Sequence, residues 1–582
     1  MSWLDAVPVG LLSAVWLFVP GLLVTYGYGL RGFAAWGLAP VVSVAVAATT
    51  AVVAQKIGVP WSVPLVVVVA VAIAVVVSVV AFLLRRRWPA LPADPRRVTL
   101  AAALGMVPAV LLGFITFVHG VQSPTALSQT YDAVLHYNTV RSIVDTKDAS
   151  SLVLGTVGIP GESNIFYPGG WHDIVSLVVM SGGFGIPASV NMVSLVIGIV
   201  VWPVSCMALV RQVVGRSAVA LAVTGVLSIA FTAFPWDLLS FGVLWPNLLG
   251  MALVPAVLAA VLSVTGLARE DAVGRGRAWL MLPVALVGTG FAHPNAVFTV
   301  LTLSVVPVLI GVGRRLPRLR ANGRLGRGVA EFGGTVVVVV AFWYWADTTP
   351  VFASVRDFYW APFDTQARAV GEVLFASTTG YRALWLLALL VLGGLLLFRR
   401  IVEIRWLVAG FVITGFLYVL SASENDSFSQ QFTGFWYNDP HRLAAMLPVT
   451  AVPLAVVAVV WLGRQGAALL ERRPQLVTAL RGRAFAAATL VVVVLLGVLT
   501  GGLYAGKHAM VIQTVYVRPR SDPSLQFVSP AAESFFAQVR QHTPPDAVVA
   551  NNPWDGSALL WALADRRVLF PHMGVQTTAD LR

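Results

Sequence analysis

Long apolar runs alternate with short polar stretches along the whole chain. Segments near 7–29, 33–55, 61–84, 99–119, 187–210, 217–234, 244–267, 279–292, 296–312, 329–346, 381–398, 402–421, 443–462 and 485–504 are almost free of charge. Most reach the roughly 18–20 residues that an α-helix needs to cross a bilayer. The pattern predicts an α-helical polytopic membrane protein with about 14 transmembrane helices. The two short segments around His293-Pro294-Asn295 read as spans joined by a tight turn; a break lining a cavity is the other reading.

Charge sets the orientation. Alternate loops, among them Arg85-Arg86-Arg87 and Arg314 to Arg327, hold 25 of the 39 Lys and Arg but only 6 of the 26 Asp and Glu. Basic loops stay cytoplasmic, so both termini and the polar loops 120–186, 347–380 and 422–442 face outward. Three regions follow: a three-helix membrane segment at 1–98, a transmembrane core at 99–506, and an outward tail at 507–582. The tail predicts a helix over 530–542 after Ser529, a turn at 543–546, a strand at 547–550, a loop at 551–557, a helix to about 565 and a strand at 567–570. It is expected to form a small outward-facing α/β domain, and its stop at Arg582 reads as an incomplete unit.

Composition excludes several classes. A mean hydropathy of +0.82 and a charged fraction of 11% rule out a soluble domain. The net charge of +13 is accounted for by the cytoplasmic loops and gives no reason to expect nucleic acid. Cys206 stands alone in an apolar run, so no disulfide or cysteine metal site is expected. The N-terminus lacks a basic n-region and carries Asp5, unlike a secretory signal. No phosphate-binding glycine motif occurs in the cytoplasmic loops.

Chemistry gathers in the outward loops. In SQTYDAVLHYNTVRSIVDTKDAS (128–150), Ala133, Val134, Tyr137, Val140 and Val144 form an apolar stripe over a helix at 131–144. Asp132 and His136 share one face, and Thr130 or Ser128 is a candidate cap. By spacing alone, Asp132 is an ordinary first-turn carboxylate and His136 an exposed interfacial residue. Glu162 follows, then FYPGGWHD, where Trp171, His172 and Asp173 open a second short helix. Asp439, His441 and Arg442 stand where the 422–442 loop meets an apolar run; Arg442 reads equally as a phosphate ligand and as a snorkelling side chain. The aromatics of these loops read mainly as an interfacial belt.

With Tyr131-Asp132, the helix after it, and Tyr167-Pro168 before a second helix, the chain resembles the polyprenyl-phosphate-dependent glycosyltransferases of the C-type (GT-C) superfamily. In that superfamily a long outer loop carries an acidic residue near its start, then juxtamembrane helices, then a Tyr-Pro segment. The stretches YDAVLHYN, FYPGGWHD and NNPWDGS look like a group of large actinobacterial membrane proteins associated with this fold. The resemblance covers about residues 99–582; the three spans before residue 99 depart from the simplest pattern.

The resemblance implies a sugar moved from a polyprenyl-phosphate donor to a cell-envelope glycan or glycolipid on the outer face of the plasma membrane. Membrane lipid surrounds the chain, and Asp132 is the expected general base. His136, Arg141, His172, Asp173, His293, Asn295, Asp439, His441 and Arg442 are the candidates for binding donor phosphate or acceptor. An arabinofuranosyltransferase is suggested by the actinobacterial look alone. Some members use a divalent cation, but no metal-ligand spacing such as HExxH stands out here, so no metal is assigned. The competing expectations are a ligase or polymerase of lipid-linked glycans centred on His441 and Arg442, a transporter or flippase, and a membrane scaffold. Convergence of Asp132, Asp173, His293 and His441 on one cavity would favour a transferase.

Overall fold

The computed structural model describes residues 1–88, 90–159, 163–472, 483–522 and 525–573. Glu162, the basic residues at 473 and 481, and the tail beyond 573 lie outside these residues.

Ten of the described helices are long and apolar enough to cross a membrane. They include α1 (Val7–Gly27), α2 (Gly32–Lys56), α3 (Val63–Leu83), α4 (Arg96–Val121), Trp245–Thr265 and Pro440–Leu470. An eleventh crossing arises if Ala218–Ser228 and Thr232–Leu239, bent by 50° to each other, are one span. The other three predicted segments hold helices Arg275–Ala292, Trp385–Arg399 and Ala484–Leu499, the last two shorter than a full span. Length and composition therefore support ten or eleven crossings where fourteen were expected.

The helices sort by what they touch. Trp245–Thr265 and Pro440–Leu470 are buried centrally. Of α3, only Val66 and Ala70 are buried, with Val63, Val69 and Val77 partly buried against the core; Val67, Val68, Val71, Val75, Val76 and Val79 face outward, as expected where lipid and protein interior are equally apolar. Close crossings use small residues: a β-carbon on Gly21 would stand 1.9 Å from the Ala39 carbonyl oxygen, and one on Gly105 2.2 Å from that of Ala222. Larger residues would force these helices apart.

Three of the basic loops meet, those carrying Asp94, Arg211 and Glu270. Arg211 pairs with Asp94 at 2.8 Å and donates to the Glu270 carbonyl at 2.8 Å, while Arg216 reaches Asp94 at 3.4 Å and Glu270 at 3.5 Å. The three polar loops predicted to face outward, the break at His293 and the start of Trp245–Thr265 meet around one cavity elsewhere in the fold, described below.

Between α4 and the next long span lie α5 (Tyr131–Thr146) and α6 (Gly170–Gly182). Helix Ala505–Tyr516, most of which falls in the predicted tail, packs along α4: Gln513 donates to the His119 carbonyl at 2.9 Å. The tail helix spans Pro530–His542, and the Ser529 hydroxyl accepts from the Ala532 amide at 3.1 Å. The expected strands reduce to a two-residue parallel pair, Val548–Val549 with Arg567–Val568. This region docks on α5. Asn138 donates to the carbonyls of Ala558 and Pro571 at 2.9 and 2.8 Å and accepts from the Ala562 amide at 3.2 Å.

Candidate active site

The first helix after α4 begins where the apolar stripe predicts and runs two residues past residue 144. Its buried face is Ala133, Val134, Tyr137, Val140 and Ile143, with Ile143 taking the place expected of Val144. Thr130 is the residue before the first turn but does not cap it with its side chain; its hydroxyl pairs with that of Ser128 at 3.0 Å. Asp132 and His136, one turn apart, both line a cavity of about 500 Å³.

The walls of that cavity come from the three polar loops predicted to face outward, from the break at His293 and from the starts of two predicted spans. Asp132 and His136 come from α5, Tyr167 and Pro168 from the approach to α6, and Pro246 and Asn247 from the start of Trp245–Thr265. His293 and Asn295 come from the break between two helices, Val351, Phe352 and Val355 from the 347–380 loop, and Phe435, Tyr437 and Arg442 from the 422–442 loop. Phe298, Val351, Phe352, Val355 and Phe435 make one side apolar, and Phe435 stacks on Phe298 at 4.3 Å. The aromatic-belt expectation therefore fails for Phe435 and Tyr437, which serve the cavity.

Asp132 keeps exposed surface that opens onto the cavity, while protein surrounds the rest of it. Burial raises its carboxyl above the usual range, Arg442 opposes that rise and Asp439 adds to it. Gly242 (φ +72°) supports this position, since a β-carbon there would stand 2.7 Å from Asp132 Oδ2. Arg442 is held from three sides. Its Nε donates to Asp439 at 3.0 Å, Nη1 lies 3.2 Å from His293 Nε2, and the guanidinium sits 4.5 Å from the Tyr437 ring. Asp439 is buried, and desolvation raises its carboxyl against the pull of Arg442 and His441.

His136 is buried, contrary to the exposed interfacial expectation. Its Nδ1 lies 3.0 Å from His172 Nε2, and Tyr167, Trp171 and Trp245 ring it. Burial holds both imidazoles neutral, with His172 pushed down to about 3. His293 is a single extended residue between Arg275–Ala292 and Pro294–Gly313, a tight turn that also lines the cavity, so features of both readings are present. The side-chain amides of Asn247 and Asn295 are both buried in the cavity wall, and none of their polar atoms has a hydrogen-bond partner among the described residues. Buried amides without partners are costly, and a ligand with hydroxyl groups would satisfy them.

The other predicted residues lie off the cavity. Arg141 is committed to a structural pair, bonding Asp145 at 2.7 Å and Asp565 of the docked tail. Asp173 is fully buried in α6, and neither carboxylate oxygen has a hydrogen-bond partner among the described residues. His441 stands behind Arg442 with Nδ1 2.8 Å from Asp237 Oδ2. Full convergence of the four expected residues is therefore not found: Asp132 and His293 line the cavity, Asp173 and His441 do not. Asp237, Asn247 and Tyr381 are not among the residues that the sequence singles out. Asp237 left a signal, being the one charged residue between Arg216 and Arg269. Among the described residues no group of three or more His, Cys, Asp or Glu side chains could hold a metal ion.

No curated protein matches the chain. A solved structure of the Archaeoglobus fulgidus oligosaccharyltransferase, tethered to an acceptor peptide containing the NVT sequon, is similar at 13% identity and a TM-score of 0.37. The alignment covers 80% of this chain and 63% of that one, and a likeness of this size decides nothing about activity. A model described as a family of unknown function, DUF6541, matches residues 14–582, and the chain belongs to that family.

Proposed function

We propose that this protein is a membrane glycosyltransferase. It moves a sugar from a polyprenyl-phosphate donor to a cell-envelope glycan or glycolipid on the outer face, in a fourteen-crossing topology with both termini outward. The observation that carries this reading is the composition of one cavity. It holds a carboxylate, a guanidinium and two side-chain amides without partners among the described residues, against an apolar side. A sugar offers hydroxyls to the amides of Asn247 and Asn295, the phosphate offers charge to Arg442, and the lipid tail suits the apolar side.

In this reading Asp132 takes the proton of the acceptor hydroxyl as its oxygen attacks the anomeric carbon. The bond from that carbon to the phosphate oxygen breaks, and Arg442 stabilises the charge left on the phosphate. Asp439 and His293 hold Arg442 in place, and Gly242 lets the backbone lie against Asp132. No step is routed through a metal.

Transfer by the purified chain, with radiolabelled polyprenyl-phosphate sugars and envelope glycan acceptors, tests the reading. Asp132→Asn keeps the shape and removes the base, so a folded variant that loses most of its turnover supports it. Equal turnover in both proteins removes Asp132 as the base. No transfer by wild type with any donor favours transport or scaffolding.

A further inference from the structure

A second acid–base group stands next to Arg442, outside the cavity lining. Asp237 is fully buried, and both carboxylate oxygens are engaged: Tyr381 donates its hydroxyl to Oδ1 at 2.8 Å, and His441 Nδ1 meets Oδ2 at 2.8 Å. A carboxylate facing Nδ1 fixes the proton there and turns Nε2 into the working atom. Nε2 has no hydrogen bond among the described residues, and the side chain keeps 19% of its surface exposed. Phe241 lies flat on the ring, with centroids 3.6 Å apart and planes 7° apart, so the imidazole cannot swing away without losing that stack.

The same short segment ties this dyad to the cavity. Phe241 stacks on His441, and the next residue, Gly242, packs against Asp132. On the other side, Arg442 follows His441 in sequence and lines the cavity. Asp132 and His441 thus flank one turn of backbone, one a carboxylate and the other an imidazole backed by a carboxylate. Two titratable groups in unlike surroundings are the arrangement that divides acid and base roles.

Resting on the transferase reading above, we propose that the phosphate held by Arg442 reaches past the cavity lining to His441, and that His441, oriented by Asp237, is the general acid that protonates it as it departs. As the bond from the anomeric carbon to the phosphate oxygen breaks, its electron pair stays on that oxygen, which takes the proton from Nε2 of the imidazolium. The acceptor proton goes to Asp132. One proton enters the phosphate and one leaves the hydroxyl, so the transfer is balanced. Asp237 and Tyr381 are positioning residues, holding the ring without touching substrate.

The test uses the purified full chain in detergent and two readouts, binding of undecaprenyl phosphate and sugar transfer. The charged and titratable groups facing His441 are Asp237, Asp439 and Arg442, with Tyr381 beyond Asp237. An imidazolium favours phosphate and a neutral ring does not, so wild type should bind more tightly than His441→Gln at acid pH, with the gap closing as pH rises. Turnover should fall roughly 100-fold or more in His441→Gln. Asp237→Asn, nearly identical in shape, should show the same loss of pH-dependent binding and a similar fall in turnover, and it serves if the first variant does not fold. Asp132→Asn should lose transfer and keep the pH-dependent binding. Wild-type turnover and pH profile in both dyad variants would overturn the acid role and leave the transferase reading standing. Wild type that neither binds the lipid phosphate nor transfers sugar would overturn that reading, and the acid role with it.

Discussion

Two polar regions of this molecule are built on opposite principles. Where three of the basic loops meet, Arg211 is 1% exposed and paired with Asp94 and the Glu270 carbonyl, with only its Nη2 lacking a hydrogen-bond partner among the described residues, and Arg216 reaches the same two acids. At the cavity, the side-chain amides of Asn247 and Asn295 are equally deep but left open. Neither side-chain amide has a partner among the described residues, Asp132 is exposed to the cavity, and Arg442 is held from behind by Asp439. Buried charges that neutralise one another fasten helices; buried polar groups left incomplete in a cavity wall mark where something else binds. The difference yields a division of labour that mutation can break.

The largest expected effect is at the cavity. Asp132→Asn should lower turnover roughly 10²–10⁴-fold while the thermal unfolding temperature in detergent holds or rises, because burial already disfavours the charged form. A fall in both together would make Asp132 part of the scaffold. The pH profile sharpens this. A base must be deprotonated, so turnover should rise with pH through a limb above the usual carboxylate range. Arg442 holds the Asp132 carboxyl down, so Arg442→Gln should move that limb to higher pH in whatever activity survives.

Asp94→Ala should give the opposite split. It strips Arg211 and Arg216 of a shared partner and leaves a guanidinium that is 1% exposed. Removing one member of a buried pair costs about 3–5 kcal/mol, visible as a lower unfolding temperature with the turnover of the remaining folded protein unchanged. Lost turnover at unchanged stability would mean that the two regions are coupled.

A smaller effect belongs to the joint between α5 and the tail. Asn138 satisfies three backbone groups there, and each buried group left unpaired costs about 1–3 kcal/mol. Asn138→Ala should speed proteolysis within residues 525–573 before the helical core is cut. Turnover should fall less than in Asp132→Asn, since α5 keeps its packing on α6.

Much of this contrast is legible in the chain because it rests on local rules. The apolar stripe places α5, the four-residue spacing puts Asp132 and His136 on one cavity wall, and the Arg bias separates the two sets of loops. What escapes depends on partners far along the chain. Arg141 looks like a phosphate ligand because Asp565, more than 400 residues later, cannot be seen beside it. Asp237 sits in FTAFPWDLLSF, where apolar neighbours hide it, and its meaning comes only with Tyr381 and His441. Thr130 has the chemistry of a cap, but Ser128 takes its hydroxyl. The strands of the tail contract to two residues each because, among the described residues, they have only each other to pair with.

Asp173 is the residue on which sequence and geometry disagree most, and its expected effect on turnover is the smallest. It opens α6 beside His172, as a catalytic acid would, but lies off the cavity and fully buried. Desolvation raises its carboxyl well above the ordinary value of 3.8, with Asp148 adding to the rise. The native state therefore keeps a proton that the unfolded chain releases. The stability this confers is complete below the ordinary value and lost as pH rises through the native one, at about 1.4 kcal/mol per unit. Asp173→Asn mimics the protonated form and should flatten that slope: variant and wild type match in acid, and the variant unfolds at the higher temperature near neutrality. Its transfer activity should equal that of wild type. If turnover instead collapses while the unfolding temperature follows the expected course, Asp173 belongs to the reaction, and the cavity must open further toward α6 when substrate binds.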